Sequence, residues 1–142
     1  MTHGLDTSFL VAMEIKSHTE HSACQNLLRR LIKSGDSFVL APMVLAEFIH
    51  TVTDPRRFSL PLTTEQAIKH ADFWWNAAEV VHVFPTSEST LLFLDWIEKF
   101  KLGRKRLLDT MLATTYFSNG ISSILTLNRA DFVVFDAFTF PK

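Results

Sequence analysis

Short apolar runs of strand length alternate with longer stretches of helical period along the whole chain, and this alternation limits the fold more than any other feature. The runs fall at residues 3–5, 36–41, 79–84, 122–126 and 137–140. Parallel strands need crossovers of a dozen or more residues, usually helices. The order therefore predicts a three-layered α/β fold, with a central parallel sheet of four to five strands flanked by helices on both faces. At 142 residues, 47% of them hydrophobic, the chain is expected to form one domain, residues 1–142, with a substantial core.

The helical stretches carry their own boundary signals. Asp6-Thr7-Ser8 ends the first strand and introduces a helix through Phe9. Residues 19–34 follow with Cys24, Leu27, Leu28 and Leu31 as an inward stripe, and Gly35 closes them. Pro42 stands at a first helical position, and the helix to Val52 turns Leu45, Phe48, Ile49 and Val52 inward with Glu47 beside them. Thr63 and Gln66 form a capping-box pattern for a helix through Ala78. Residues 87–101 place Phe93, Trp96, Ile97 and Phe100 inward. In the helix from Leu107 to Gly120, the spacing predicts a core face of Leu108, Met111, Leu112 and Thr115, with Asp109 one position off it. Residues 128–132 read as a loop.

Composition narrows function mainly by exclusion. A net charge of −1 gives no general affinity for polyanions, so any contact with nucleic acid has to come from a local patch. Cys24 is the only cysteine, which excludes an internal disulfide and a multi-cysteine zinc site and suits a reducing cytosol. The first residues lack a basic segment followed by an apolar run, so no signal peptide is expected. No apolar stretch approaches the ~18 residues of a membrane span. A cytoplasmic protein without membrane contact is the expectation.

In open parallel sheets, sites form beyond the carboxyl ends of the strands. Asp6 ends the first strand, Asp131 follows the fourth, Asp109 starts the helix entering that fourth strand, and Glu47 lies on the helix leaving the second. Taken alone, Asp109 reads equally well as a helix-start acid that complements the dipole. Four carboxylates brought together repel one another, and a divalent cation such as Mg²⁺ or Mn²⁺, which prefers carboxylate and water oxygens, resolves the conflict.

Four segments, Asp6-Thr7-Ser8-Phe9-Leu10, Ala46-Glu47-Phe48, Leu108-Asp109-Thr110-Met111-Leu112-Ala113 and Thr126-Leu127-Asn128-Arg129-Ala130-Asp131-Phe132, resemble the four blocks of the PIN domain, in that family's order and across essentially the whole chain. Length and the closing Asp-Phe segment resemble the VapC-type toxins of toxin–antitoxin pairs. The resemblance implies a Mg²⁺- or Mn²⁺-dependent endoribonuclease whose catalytic, metal-binding acids are Asp6, Glu47, Asp109 and, as the fourth and more variable one, Asp131. Thr7, Ser8, Thr126 and Asn128 match supporting polar positions. It also implies an RNA substrate, a cognate antitoxin and a homodimer. The alternative is a catalytically inactive PIN-like module that binds RNA or protein; against it, such a module has no need of several repelling carboxylates. A receiver or phosphatase reading wants a second acid beside Asp6, and Ser8 stands two residues on.

Lys99, Lys101, Arg104, Lys105 and Arg106 lie directly before Asp109. They read either as a solvated helix end or as a rim that grips RNA phosphates, Arg104, Lys105 and Arg106 being the principal candidates. Arg56, Arg57 and Phe58 are a second candidate surface. His18 and His21 read as surface histidines, His50 and His82 as structural, and Trp74-Trp75 as core with one ring bordering an exposed patch.

Overall fold

A computed structural model describes residues 1–142. Four strands, β1 (Thr2–Leu5), β2 (Ser37–Leu40), β3 (Val80–His82) and β4 (Ile124–Leu125), form one sheet in the order β3-β2-β1-β4, every pair parallel. The expected fifth strand is reduced to one parallel bridge, Ser123 with Thr139, beyond β4. The connections through α1 (Thr7–Glu14), α2 (His21–Lys33), α3 (Pro42–Val52) and α4 (Thr64–Trp75) step outward from β1 to β3. The connection through α5 (Ser87–Lys99) and α6 (Leu107–Ser118) returns past β1 to β4. With right-handed crossovers this reversal puts α1–α4 on one face and α5–α6 on the other. The packing agrees, since α1 touches α2 and α3, α3 touches α4, and α5 pairs with α6.

The local signals operate as chemistry requires. Thr63 Oγ1 accepts the Gln66 N–H and Gln66 returns the bond, while Thr86 and Ser89 make the same reciprocal pair at α5. Gly35 and Gly120 end α2 and α6 with φ of +83° and +76°.

Two expectations need correction. Of residues 128–132, read as loop, the last three fall in a short helix, α7 (Ala130–Val133), closed by backbone bonds from Asp131, Phe132 and Val133 to Asn128 and Arg129. The buried face of α6 is turned by about one position from the predicted stripe. Leu108 is 69% exposed and Met111 only half-buried, whereas Thr110, Leu112, Ala113, Thr114, Thr115 and Tyr116 are buried. The periodicity misled because the inward face carries three threonines. Their hydroxyls return hydrogen bonds to Arg106 O and Met111 O within the helix, so burial leaves no orphaned donor. The face is rotated to admit Tyr116, whose hydroxyl donates to Leu5 O at 2.6 Å in the middle of the sheet.

Candidate active site

The strand order reverses beside β1, so a crevice opens beyond the carboxyl ends of β1 and β4. Asp6 follows β1 directly, is 5% exposed and sits at the N-terminus of α1 without capping it. Its Oδ2 accepts hydrogen bonds from Ser8 Oγ at 2.9 Å and Thr126 Oγ1 at 2.7 Å. Those hydroxyls in turn accept the backbone N–H of Leu127 and Asn128, at 3.0 and 2.9 Å. The chain of bonds fixes the carboxylate across the β1–β4 junction, each hydroxyl spending its proton on Asp6 while the backbone orients its oxygen.

A pocket of about 340 Å³ lies over this carboxylate and is lined by Asp6, Glu47 and Asp109 together with Thr7, Ser8 and Asn128. Three of the four expected acids therefore converge. The fourth, Asp131 on α7, does not line the pocket, although its charge still acts on Asp6 and Asp109. Thr126 lies behind Asp6 as its support. Of the basic candidates, Arg104 and Lys105 are exposed, but Arg106 is turned inward. It stands 3.8 Å from Asp109 Oδ2 and donates to Asp131 O, tying α6 to α7. Arg106 is thus a structural tie and counter-charge rather than a free phosphate grip.

The electrostatics are those of crowded acids. Desolvation, then the charges of Asp131, Asp6 and Glu47, push Asp109 up to about 6. Asp6 is raised chiefly by burial. Glu47 is more open to solvent and is shifted the same way, first by desolvation of its carboxyl and then by Asp6. A carboxyl whose folded-state pKa exceeds its unfolded value takes up its proton first in the folded protein, so falling pH stabilises the metal-free fold through this group. Thermal melts in EDTA should show that contribution between about pH 7 and pH 4, from above the folded value of about 6 down to the ordinary value of 3.8, as a Tm difference between wild type and Asp109→Asn that closes as pH falls. Parallel pH profiles for the two proteins would contradict the crowding.

The donor set is all oxygen, which suits a hard divalent cation. Thr7 Oγ1 is buried on the pocket wall without a hydrogen-bond partner. No three His, Cys, Asp or Glu side chains are drawn together as a ready-made cage. Mg²⁺ does not require one, since it is usually held by one or two carboxylates with waters and substrate phosphate.

Several pocket residues escaped the sequence reading or were ranked low in it. His18, read as a surface residue, lines the pocket, as do Thr51, Arg57 and Phe58. The Arg-Arg-Phe run was the signal for Arg57 and Phe58, and nothing in the sequence pointed to Thr51. A different constellation, Ser123 Oγ to His3 Nδ1 at 2.7 Å and His3 Nε2 to Asp36 Oδ2 at 3.0 Å, has the composition of a nucleophile relay. Ser123 is 0% and His3 2% exposed, so no substrate reaches them; they tie together the amino-terminal ends of β1, β2 and β4, away from the pocket.

A model of the PIN-domain family matches residues 5–137. Among solved structures, the chain is similar in fold to VapC20 of Mycobacterium tuberculosis, described as a sarcin–ricin-loop-cleaving toxin. That match has 16% identity and a TM-score of 0.72, and covers 98% of this chain and 97% of that one. VapBC-1 from nontypeable Haemophilus influenzae matches at 17% identity and TM-score 0.70, covering 100% and 98% of the two chains. VapBC2 from Rickettsia felis, bound to a DNA fragment from their promoter, matches at 18% and 0.70, covering 100% of both. No curated protein matches the sequence.

Proposed function

The chain belongs to the PIN-domain family, and from that membership and its acidic pocket we propose that it is a divalent-metal-dependent endoribonuclease, the toxin of a VapBC-type toxin–antitoxin pair. The observation that carries this reading is the convergence of Asp6, Glu47 and Asp109 on one pocket at the sheet's switch point. The fold likeness to VapC20, VapBC-1 and VapBC2 supports the toxin assignment.

In this mechanism Asp6 and Asp109 would hold Mg²⁺ or Mn²⁺, and Glu47 would complete the site or orient the attacking water. When bound, the cation supplies the Lewis acidity that activates water and offsets charge on the phosphate. Asp6 acts from a fixed position because Ser8 and Thr126 hold it, so little reorganisation accompanies substrate binding. Asp131 adds negative charge from outside the pocket and is a supporting acid. Asn128 and Thr7 line the wall and are available to a phosphate oxygen or water. The lone buried Cys24 is consistent with work in the cytosol, and no helix is long and apolar enough to cross a membrane. An antitoxin and a second copy of the chain are the expected partners; Leu91, Leu94 and Leu108 on α5 and α6 are each more than half exposed and leave apolar surface for one of them.

The test is incubation of purified protein with total cellular RNA and Mg²⁺ or Mn²⁺, with EDTA as control. Discrete cleavage that EDTA abolishes supports the reading. RNA left whole at every metal concentration contradicts it and favours a binding module. A subsidiary expectation concerns the exposed pair Arg104 and Lys105. Replacing both with Gln should weaken RNA binding at low salt and lower the slope of log K against log salt by up to about 2, since each phosphate contact contributes roughly one. An unchanged slope returns them to a solvated helix end.

A further inference from the structure

The pocket has two walls of unlike chemistry. The acids form one; the other contains Arg57 and Phe58, from the loop that follows α3. Arg57 is the only lysine or arginine lining the pocket. That matters for a polyanionic substrate, which three carboxylates repel and a neighbouring cation has to draw in.

The loop is built rather than slack. Asp54 Oδ1 accepts the Arg56 N–H at 2.8 Å, and Asp54 O accepts the N–H groups of Arg57 and Phe58, each at 3.1 Å. A backbone bond from Leu62 N–H to Val52 O at 2.9 Å closes its base. Asp54 Oδ2 lies 3.7 Å from Arg57 Nε, an exposed ion pair longer than a hydrogen bond that biases the guanidinium and leaves its terminal nitrogens without a protein partner. Arg57 is near enough to Glu47 for its charge to oppose that carboxyl's upward shift. Phe58 is half-buried and packs against the core while also lining the pocket, so one part of the ring is held and the remainder faces the cavity. A cation beside a partly held aromatic ring is how proteins bind unpaired nucleotides, the cation on the phosphate and the ring against a base.

We propose that Arg57 and Phe58 form the substrate-positioning wall of the pocket, Arg57 gripping a backbone phosphate beside the scissile one and Phe58 stacking on an unpaired base, so that the site takes single-stranded RNA in preference to duplex. This rests on the ribonuclease reading, and its test has an arm that does not. Bases in a duplex are already stacked on each other and offer no free face to Phe58.

The experiment uses a fluorescein-labelled single-stranded RNA oligonucleotide and the same strand in a duplex. Binding is read by anisotropy in EDTA, and cleavage by steady-state kinetics with Mn²⁺. The proteins are wild type, Phe58→Leu, Phe58→Tyr, Arg57→Gln and Arg57→Lys. Wild type should bind the single strand more tightly than the duplex. Phe58→Leu should weaken single-strand binding roughly tenfold or more and erase the preference, while Phe58→Tyr, which keeps the ring, retains both. Arg57→Gln should weaken binding and lower the salt slope by about one, with Arg57→Lys recovering most of the affinity. In the kinetic arm Phe58→Leu and Arg57→Gln should raise KM far more than they change kcat. Arg57 is exposed, so its variants read the proposal even if Phe58→Leu proves poorly folded.

Binding and KM within about twofold of wild type for Arg57→Gln and Phe58→Leu would overturn the proposal, by the yardstick of stacking and phosphate contacts. So would equal affinity of wild type for single strand and duplex. Absence of cleavage by wild type, with the binding pattern as expected, would overturn the ribonuclease reading and leave the wall as an RNA-binding surface.

Discussion

Asp6→Asn is expected to remove RNA cleavage while leaving the protein folded and at least as stable as wild type. The loss should be about 100-fold or more, the scale of deleting a principal electrostatic stabiliser of a transition state. Asp6 is buried and its carboxyl is raised by desolvation, with the charge of Asp131 adding to the strain. Asparagine keeps an acceptor oxygen for Ser8 and Thr126 and removes the charge, so the isosteric change relieves a cost in the apo protein rather than creating one. Activity and stability therefore move in opposite or independent directions, which separates a ligand from a structural acid. A variant that unfolds, or one that cleaves as well as wild type, would contradict the assignment.

Gly4→Ala should have the largest effect on stability of any single added methyl group. A Cβ at Gly4 would lie 2.6 Å from Cδ2 and 2.7 Å from Cε2 of Tyr116, closer than carbon atoms approach in folded proteins. Tyr116 is fully buried and cannot swing aside without surrendering its hydrogen bond to Leu5 O. Overpacking of this kind costs about 3 kcal/mol, and a displaced tyrosine hydroxyl adds roughly 1 kcal/mol. The thermal midpoint should fall by roughly 10 °C. Tyr116→Leu in the Gly4→Ala background should recover part of the loss relative to the sum of the single changes, because the two residues meet directly. A Gly4→Ala midpoint within about 2 °C of wild type would contradict this packing, given the usual few degrees per kcal/mol.

The same Gly4–Tyr116 contact shows why part of the fold was legible in the sequence and part was not. Alternating strands and helices, Pro42, the Thr63–Gln66 box and Gly35 are local signals, and the elements that depend on them stand where those residues place them. The facing of α6 depends on a contact between residues 112 positions apart along the chain, and its inward threonines carry no apolar signature. Periodicity accordingly pointed to Leu108 and Met111, which the fold leaves exposed or half-buried. The short α7 depends on bonds to Asn128 and Arg129 that a polar segment does not advertise.

The candidate site divides along the same line. The rule that sites form beyond the carboxyl ends of parallel strands brings Asp6, Asp109 and Asp131 to one edge with Glu47 beside it; the choice of Asp6, Glu47 and Asp109 comes from the PIN-domain resemblance, and these three line one pocket. The hydrogen bonds from Ser8 and Thr126, the inward turn of Arg106 and the approach of Arg57 and Phe58 are tertiary. Charge patterning located the basic clusters but could not tell a side chain turned to its own helix from one turned to the cavity. Arg106, a principal candidate for phosphate, donates instead to Asp131 O, while Arg57, from the second candidate cluster, lines the pocket.

Everything proposed for catalysis depends on the acidic pocket being a cation site. Calorimetric titration of Mn²⁺ into the metal-free protein at pH 7, beside Asp6→Asn and Asp109→Asn, tests that directly. Wild type should show a saturable site that each variant weakens at least about tenfold, as expected when a ligand or its support is lost. No saturable binding by wild type, or binding that neither substitution alters, would contradict it.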